Sequence, residues 1–477
     1  MTQTTPTTTA AKPQLVRGLT FVSTTALVIG SIIGTGIFFK AAVMSQQVGS
    51  PMLVLAAWIA AGLLSLAGAL TYAELGGMLP HAGGEYLYVR TAYGDVAGFL
   101  NGWMRCVVAA GGMSALGVGF ATFLSAIIPM PQVWAHHTLH LLGREIQWQF
   151  GLKEVVAVAV ILLLGGLNCA GIAFSGNLQS LLTAGKILGI GIIVLGAFLF
   201  SGGGSPEHFR APAHAPQWTG IQAFGAAMLS ALWAYDGWTY MPMVAGEVKD
   251  PERNLARSLI LGVAVVLALY GLANVAYFWA LPFHEILTSN STAHRDALPV
   301  AAKAAGTFLG SYGPAIMSFL FMLSVAGALN AVILATARIP FTMAQDSLLP
   351  AQLGRLHPRS LVPARAIIAI SIWAGILALS GTFDQLTDMS MFASWAFYAL
   401  AASSVFVLRK RLPDAQRPYR TWGYPFVPAV FVMTAAWLLV NSLQTSPVES
   451  VMGIVLILLG LPVYFHHKKK AARNQPA

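Results

Sequence analysis

The stretch Gly30-Ser31-Ile32-Ile33-Gly34-Thr35-Gly36-Ile37-Phe38 lies in the middle of the first long apolar run of the chain. Its first seven positions hold three glycines and two hydroxyl residues. Each glycine weakens a helix by about 1 kcal/mol relative to alanine. A helix that includes this stretch is therefore weakest near Gly34-Thr35-Gly36, and its surroundings decide what that weakness means.

The composition shows which solvent surrounds this stretch. Of the 477 residues, 56% are hydrophobic and only 9% are charged, whereas soluble proteins carry about 25% charged residues. The 47 Gly and 25 Pro are spread through long apolar runs, which helices in lipid tolerate. These figures exclude a secreted disulfide scaffold, a disordered chain and an ordinary cytosolic enzyme. They predict an all-α, polytopic integral membrane protein.

A membrane-crossing helix needs roughly 20 mostly apolar residues, and a search for such stretches gives twelve candidates, of which the ninth is short. The predicted spans are Leu19–Met44, Met52–Met78, Val96–Ile128, Val155–Ala173, Leu178–Phe200, Ile221–Ala245, Ser258–Leu281, Tyr312–Ala335, Ala366–Ser380, Met389–Leu408, Phe426–Leu443 and Val451–Phe465. They divide the chain into a disordered tail (1–17), spans one to five (18–200), spans six to ten (219–411), spans eleven and twelve (425–466) and a basic tail (467–477).

The basic residues predict the orientation. Of 27 Lys and Arg, twenty fall on the side that holds both termini, six fall on the other side, and Lys186 falls within a span. Basic loops stay in the cytoplasm, so we predict a plasma-membrane protein with both termini inside. Lys468–Lys470 is then a topology anchor at the lipid headgroups, and the net charge of +10 predicts no nucleic-acid partner.

Within a membrane, the weak stretch in span one has two interpretations. If the helix unwinds there, the N–H groups of its second half point to the bilayer centre and attract an anionic group such as a carboxylate. The freed carbonyls of Ile32 and Ile33 would then accept hydrogen bonds from an ammonium. Alternatively, the small residues only allow close helix packing. The segment alone leaves both open.

A second interruption, Trp233-Ala234-Tyr235-Asp236-Gly237-Trp238, lies in the middle of span six. A carboxylate at this depth costs roughly 2.5–3.5 kcal/mol, so Asp236 must face protein, water or a cation. It could contact a cationic ligand group, or it could be protonated or hydrogen-bonded to a neighbour. Gly237 loosens the helix again, and Trp233 could close over a ligand or simply serve packing.

Lys186 lies well inside span five and needs a carbonyl or carboxylate partner, because it cannot easily reach the interface. A fixed ammonium there can occupy the place of a sodium ion, or it can line a water-filled cleft without a specific role. The interruptions in spans one and six are about 200 residues apart. Paired interruptions of this kind predict two five-helix inverted repeats with a site at the midplane.

The chain resembles the amino acid–polyamine–organocation (APC) superfamily, and within it prokaryotic members of the L-type amino acid transporter branch. The resemblance runs from about Leu19 to Phe465. The motifs that carry it are Gly30–Phe38, Gly83-Gly84-Glu85-Tyr86-Leu87-Tyr88, Leu232–Trp238, Gly246-Glu247-Val248-Lys249-Asp250-Pro251-Glu252-Arg253-Asn254, and Arg417-Pro418-Tyr419-Arg420 with Gly423-Tyr424-Pro425. The resemblance implies a LeuT-like fold with helices one and six broken, alternating access, and a small α-amino acid as substrate.

The resemblance also implies roles for single residues. The implied substrate-binding residues are Ile32, Ile33, Gly34, Thr35, Gly36, Trp233, Asp236 and Ser324. Thr35 and Gly36 would donate backbone or hydroxyl hydrogen bonds to the substrate carboxylate. The carbonyls of Ile32, Ile33 and Trp233, together with Asp236, would take the α-ammonium. Trp233 would be the aromatic gate, and Ser324 would border the pocket. Lys186 would tie span five to span one in place of sodium, which implies sodium-independent transport.

Two departures from the branch pattern affect partners and specificity. Eukaryotic light-chain members bind a single-span glycoprotein through a cysteine between spans three and four, but 129–153 contains no cysteine. We therefore predict no disulfide-linked ancillary subunit. An Asp at position 236 resembles members that also accept cationic amino acids, which leaves the side-chain specificity open.

The leading hypothesis is therefore exchange or facilitated transport of neutral amino acids. The alternative within transport is a proton-coupled cationic amino acid or polyamine carrier, motivated by Asp236. A membrane enzyme or sensor is disfavoured, because paired carboxylates, a metal-ligand set and a phosphate-binding loop are not recognisable in the sequence. His136, His137 and His140 are assigned to an exposed polar loop. We predict neither a cofactor nor a metal.

Overall fold

The computed structural model describes residues 18–80, 83–141, 144–170, 172–210 and 219–473. Helix accounts for 77% of it. The predicted tail at 1–17 and the last four residues of the predicted tail at 467–477 lie outside the described residues.

The first part of the chain, through residue 210, alternates long apolar helices with short connections. Its helices are α1 (Phe21–Ile32), α2 (Gly36–Val48), α3 (Pro51–Met78), α4 (Glu85–Tyr93), α5 (Asp95–Val107), α6 (Ala110–Ser125), α7 (Leu152–Cys169) and α8 (Ile172–Phe200), followed by a short 3₁₀ helix at Pro206–Phe209. A β-hairpin of strands β1 (Val133–Leu141) and β2 (Arg144–Gly151) separates α6 from α7.

The second part of the chain is helical in the residues described. Its α-helices are α9 (Gly220–Tyr235), α10 (Pro251–Ala280), α11 (Phe283–Leu287), α12 (Val300–Leu309), α13 (Gly313–Thr336), α14 (Arg338–Gln345), α15 (Ala364–Ala378), α16 (Phe383–Arg411), α17 (Phe426–Thr445), α18 (Pro447–Leu458) and α19 (Gly460–Arg473). Two 3₁₀ helices complete it, Asp236–Glu247 directly after α9 and Gly310–Tyr312 before α13.

Ten helical segments within the described residues are long and apolar enough to cross a membrane. They are Phe21–Val48, Pro51–Met78, Asp95–Ser125, Leu152–Cys169, Leu182–Phe200, Pro251–Ala280, Val300–Gln345, Phe383–Arg411, Phe426–Thr445 and Pro447–Lys469. The chain is therefore a multi-pass membrane protein. The sixth and ninth predicted spans are not among the ten: the sixth is split between α9 and a 3₁₀ helix, and α15, at the ninth, has only 15 residues. The count of twelve stays a prediction.

The segment between α6 and α7 differs from the sequence-based expectation of a polar loop. β1 and β2 pair antiparallel, with His137 opposite Trp148. Four residues along a strand span about 13 Å, so His136 and His140 lie much farther apart than they would on one helical face. The all-α class is thus correct for the membrane-spanning part and incomplete for this hairpin, which marks one side of the molecule (the hairpin side).

Helices α1, α2 and α9 form the centre of the molecule. In the apolar window of Phe21–Val48, 89% of the residues are buried within the protein, compared with 28% for Pro447–Lys469. Helix α2 packs against α9, α1 packs against α10, and the 3₁₀ helix after α9 packs against α1 and α13. The two interrupted helices are therefore enclosed by the intact ones, and lipid does not reach their free backbone groups.

Candidate functional site

The first helix breaks at Ile33–Thr35. The N–H of Ile33 still donates to Ile29 O at 2.9 Å, and after the gap Phe38 N–H donates to Thr35 O at 3.0 Å. A new helix starts at Gly36, and its first N–H groups have no acceptor within the helix. Free donors and the positive end of the helix dipole consequently lie at the centre of the protein, which is the arrangement that binds an anion.

The sixth predicted span changes form at Asp236, where α9 continues as a 3₁₀ helix. Its backbone meets the first break at two close approaches. A Cβ on Gly36 would lie 2.5 Å from the Cβ of Ala234, and a Cβ on Gly237 would lie 2.2 Å from the carbonyl carbon of Ser31. Side chains cannot fit at either point, so glycine is required at both for the two broken helices to touch.

A cavity of about 30 Å³ lies between the two interruptions. We call it the central cavity. It is lined by Ser31, Ile32, Gly34, Thr35, Gly36, Gly112, Leu116, Trp233, Ala234, Asp236, Gly237, Tyr240, Ala328 and Val332. Six of the residues selected from the sequence are thus brought together: Ile32, Gly34, Thr35, Gly36, Trp233 and Asp236. Apolar walls come from Leu116 on α6 and from Ala328 and Val332 on α13, and Ser31 and Tyr240 add hydroxyl groups.

Three other selected residues do not line the central cavity. Ser324 is buried on α13 one helical turn before Ala328, and its hydroxyl has no hydrogen-bond partner within the described residues. Ile33 and Lys186 lie behind the cavity, where they contact each other. The role of Ser324 stays a prediction.

Lys186 connects α8 to the first break. Its ammonium donates to Gly30 O at 2.6 Å and to Ile33 O at 2.8 Å, and the residue is 1% exposed. These carbonyls belong to the end of α1, where the helix can no longer use them. A buried ammonium requires such partners, so the lysine and the break stabilise each other.

Tyr270 on α10 is a member of the site that the sequence analysis missed. Its hydroxyl lies 3.0 Å from Ile32 O and 3.1 Å from Ala234 O. A single buried side chain therefore contacts the carbonyls at both interruptions. Nothing in the apolar pattern of span seven distinguishes this tyrosine from Tyr277, which lies two turns later.

We expect Tyr270→Phe to lower the transport rate about tenfold, because a net hydrogen bond is worth about 1 kcal/mol and two buried carbonyls lose their donor. Uptake into proteoliposomes measures this. Tyr277→Phe is the matched control, since the Tyr277 hydroxyl is buried on the same helix without a hydrogen-bond partner among the described residues. Equal effects of the two substitutions would show that Tyr270 only fills space.

Trp233 covers the hairpin side of the central cavity. Its indole Nε1 lies 3.4 Å from Thr35 Oγ1, and its ring meets Phe383 edge-on with 6.1 Å between ring centroids. The other flank of the ring is close to α6, because a Cβ on Gly112 would lie 3.2 Å from it. This placement fits a side chain that closes the cavity over a ligand.

The Asp236 carboxylate lies beside a second charge cluster. It accepts a hydrogen bond from the Tyr398 hydroxyl. Arg105 stacks on the Tyr398 ring at 4.7 Å and pairs with Glu85, with Nη2 2.5 Å from Oε1. Asp236 is thus both a wall of the central cavity and a partner in a buried hydrogen bond, so both sequence interpretations of it keep a structural basis.

Arg105 corrects one detail of the charge assignment. The sequence-based count places Lys186 alone within a span and puts Arg105 with the basic residues on the side of the termini. Arg105 lies in α5, however, within the segment Asp95–Ser125, and its side chain is only 1% exposed. Glu85, which is also buried, neutralises it. Paired charges can be buried where a lone one cannot, and a hydropathy pattern does not reveal such pairs.

The same count puts Lys40 among the six basic residues on the side opposite the termini, but Lys40 lies in α2, within the segment Phe21–Val48. Its side chain is 0% exposed, and Nζ lies 2.8 Å from Asp384 Oδ1 and 2.9 Å from Thr387 Oγ1. The other oxygen of Asp384 accepts hydrogen bonds from the backbone N–H and from the hydroxyl of Thr292, at 3.1 and 3.0 Å. These four residues, which we call the outer latch, join α2, α16 and the segment before α12 on the hairpin side of Trp233.

We expect Asp384→Asn to lower exchange about tenfold and to reduce the melting temperature, because it leaves the buried Lys40 ammonium without its counter-charge. The double variant Lys40→Met/Asp384→Asn should recover most of the melting temperature, since it removes both charges. Thermal unfolding of purified protein and proteoliposome uptake measure the two effects. A double variant that is no more stable than the single one would refute the pairing.

The fold and the central cavity define a class: a multi-pass membrane protein with a cavity between two interrupted helices, an arrangement typical of transporters. A family model for amino acid permeases matches residues 19–462. The chain is 34% identical over 459 residues to the serine/threonine exchanger SteT of Bacillus subtilis (strain 168), covering 95% of this chain and 97% of that protein. It is 30% identical to the human cystine/glutamate transporter over 95% of this chain and 86% of that one. It is 29% identical to the human large neutral amino acids transporter small subunit 2, over 94% of this chain and 81% of that protein.

The chain belongs to the amino acid permease family of the APC superfamily. The resemblance to the L-type branch is confirmed by these relatives. The chain is accordingly an amino acid transporter.

Proposed function

We propose that this transporter exchanges small neutral α-amino acids across the plasma membrane, independently of sodium, by alternating access. The observation that carries this proposal is the helix start at Gly36, which lines the central cavity together with the apolar side chains of Leu116, Ala328 and Val332. The exchange activity that the name of SteT states agrees with it.

In this proposal the substrate carboxylate binds the N–H groups of Thr35 and Gly36, since helix N-termini favour anions. The α-ammonium binds carbonyls at the end of α1. Ile32 O already accepts a hydrogen bond from Tyr270, and Ile33 O accepts one from Lys186. Each carbonyl oxygen has a second lone pair that can accept another hydrogen bond. The side chain then faces Leu116, Ala328 and Val332, which suits a small neutral group.

The geometry also supports an order of gates. Trp233 and the outer latch close the hairpin side of the central cavity. On the other side, a second cavity of about 10 Å³ shares Ser31 and Tyr240 with the central one. We propose that this second cavity is the start of the path to the cytoplasm and that the described conformation is closed outwards. Lys186 takes the place of a sodium ion at the first break, which makes transport sodium-independent.

The finer architecture belongs to the same proposal. Helices of 18–200 and 219–411 form two inverted repeats of five spans, and 425–466 adds two more, for twelve in all. The reciprocal contacts of Gly36 with Ala234 and of Gly237 with Ser31 support this, because each break touches the other in the same way. Both termini face the cytoplasm. No disulfide-linked subunit is proposed, since 129–153 has no cysteine.

Uptake of labelled serine into proteoliposomes tests the function. We expect internal unlabelled serine, threonine or alanine to accelerate uptake, and we expect replacement of sodium by choline to leave the rate unchanged. If preloading with amino acids never changes the uptake of any labelled amino acid, exchange is refuted. A sodium requirement would refute the role given to Lys186 and leave exchange standing.

A second candidate, a proton-coupled carrier of cationic amino acids or polyamines, rests on the Asp236 carboxylate in the wall of the central cavity. Arginine and putrescine uptake by the unchanged protein and by Asp236→Asn tests it. Uptake that depends on the carboxylate and on a pH gradient would favour this candidate, and uptake that ignores Asp236→Asn would remove its basis.

A further inference from the structure

A further cavity, of about 70 Å³, lies on the hairpin side. We call it the outer cavity. Its walls come from α6, from β2 with the start of α7, from the segment between α11 and α12, and from the start of α16. It shares none of its lining residues with the central cavity. Phe383 lines it and also meets Trp233, so the aromatic pair separates the two cavities.

The outer cavity carries both signs of charge. Its basic side chains are Lys153 and Arg295, and its acidic ones are Glu154 and Asp384. The Arg295 side chain is half-buried, and burial lowers the pKa of its guanidinium, which nearby Glu154 and Asp296 oppose. Lys153 pairs with Asp296, which is 94% exposed, and such a pair is weak. A ligand that brings a carboxylate can therefore replace it at little cost.

The acidic side of the outer cavity is part of the outer latch. Asp384 holds Lys40 through one oxygen and Thr292 through the other. Thr292 also lines the cavity. An ammonium group that enters the cavity is consequently positioned to compete with Lys40 and Thr292 for this carboxylate, and so to weaken the contacts that hold α2 against α16.

We propose that the outer cavity is a binding site for a small zwitterionic α-amino acid, distinct from the central cavity. The carboxylate of the amino acid pairs with Lys153 and Arg295, and its ammonium pairs with Asp384. Occupation loosens the outer latch, so substrate on the hairpin side promotes its own entry. The inference deepens the proposed function and rests on it, including the assignment of the hairpin side to the exterior.

Size and charge together favour this ligand class over others. A volume of about 70 Å³ accommodates roughly five water molecules, which is close to the number of heavy atoms in the smallest amino acids. An inorganic anion would contact only the basic side chains of this cavity, and an amine would contact only the acidic ones. A zwitterion matches both walls.

Protection of an introduced cysteine tests binding directly. Thr122 lines the outer cavity, so Thr122→Cys is made in a chain that also carries Cys106→Ala and Cys169→Ala. Its modification by a membrane-impermeant thiosulfonate is followed in proteoliposomes with and without serine. We expect serine to slow modification about tenfold, and acetate or ethanolamine, each carrying one charge, to slow it less than about twofold. Thr138→Cys, on the exposed part of the hairpin, is the control that serine does not protect.

A split in transport constants provides the second test. Arg295→Gln is expected to raise the KM for serine on the hairpin side about tenfold and to leave the KM from the other side within about twofold, because only substrate arriving from the hairpin side uses the outer cavity. Lys303→Gln is the matched control: it removes a basic side chain that pairs with Glu285 outside this cavity. A purely structural effect of Arg295 would move both constants together.

The outcomes separate the inference from the proposed function. If the unchanged protein exchanges serine but serine never protects the cysteine introduced by Thr122→Cys, or if Arg295→Gln alters both KM values equally, the outer site is refuted. If the unchanged protein takes up no labelled amino acid, the proposed function itself fails, whatever happens at the introduced cysteine.

Discussion

Gly237→Ala is expected to reduce amino acid exchange at least about a hundredfold while the protein still reaches the membrane. The added methyl group would lie 2.2 Å from the carbonyl carbon of Ser31 and 2.3 Å from the N atom of Ile32. Both are backbone atoms, which cannot turn aside as a side chain can. The two interrupted helices must therefore separate, and the central cavity between them loses its shape.

The measurement is serine exchange in proteoliposomes, normalised to protein that elutes as a single species in detergent. Gly191→Ala on α8 is the matched control, because a Cβ at Gly191 meets nothing within 4 Å. It introduces the same methyl group into a membrane helix and should leave exchange unchanged. Normal exchange by Gly237→Ala would show that the close backbone contact is not part of the transport cycle.

Lys186→Ala is expected to lower exchange by a similar factor. It removes two hydrogen bonds from a charged donor, to Gly30 O and Ile33 O, and bonds of this kind contribute about 1.5–3 kcal/mol each. The carbonyls at the end of α1 are then left unpaired, and the break loses the contact that fixes it to α8. Since each 1.4 kcal/mol corresponds to about a tenfold change, a hundredfold loss is a moderate expectation.

Two further measurements give this prediction its specificity. Lys303→Ala removes a lysine that pairs with Glu285 away from the first break, and we expect little change in exchange. In Lys186→Ala, added sodium or ammonium ions offer a cation to the vacated carbonyls, so partial recovery of exchange would support the proposal that the lysine stands in for sodium. Normal turnover without any added cation would contradict its role altogether.

The sequence located both interruptions because they leave a local signal. Glycine weakens a helix wherever it occurs, so Gly34 and Gly36 mark the first break without reference to the rest of the chain. Asp236 and Lys186 were found for a related reason, since a charge within an apolar run is expensive in lipid. Such signals are properties of single segments, and the structure places all four residues at or beside the central cavity.

Residues that act only through distant partners gave no such signal. In the sequence, Tyr270 does not differ from any other aromatic residue of an apolar helix. Only the fold places Ile32 O and Ala234 O within hydrogen-bond distance of its hydroxyl. Lys40 was counted only with the basic residues on one side of the membrane, because Asp384, 344 positions away, could not be known to neutralise it. Glu85 and Arg105 neutralise each other in the same way. The β-hairpin was not predicted either, because the sequence between α6 and α7 has no clear periodicity.

The sequence by itself thus determined the membrane class, the positions of the two breaks and the family resemblance, because composition, glycine placement and motifs are all local. Only the tertiary structure decided which carbonyl accepts a hydrogen bond from each buried donor and where the outer latch forms. It also decided that charges of both signs line the outer cavity. These properties depend on contacts between residues hundreds of positions apart. Only folding sets the distances between them, and at those distances a costly buried charge becomes a paired one.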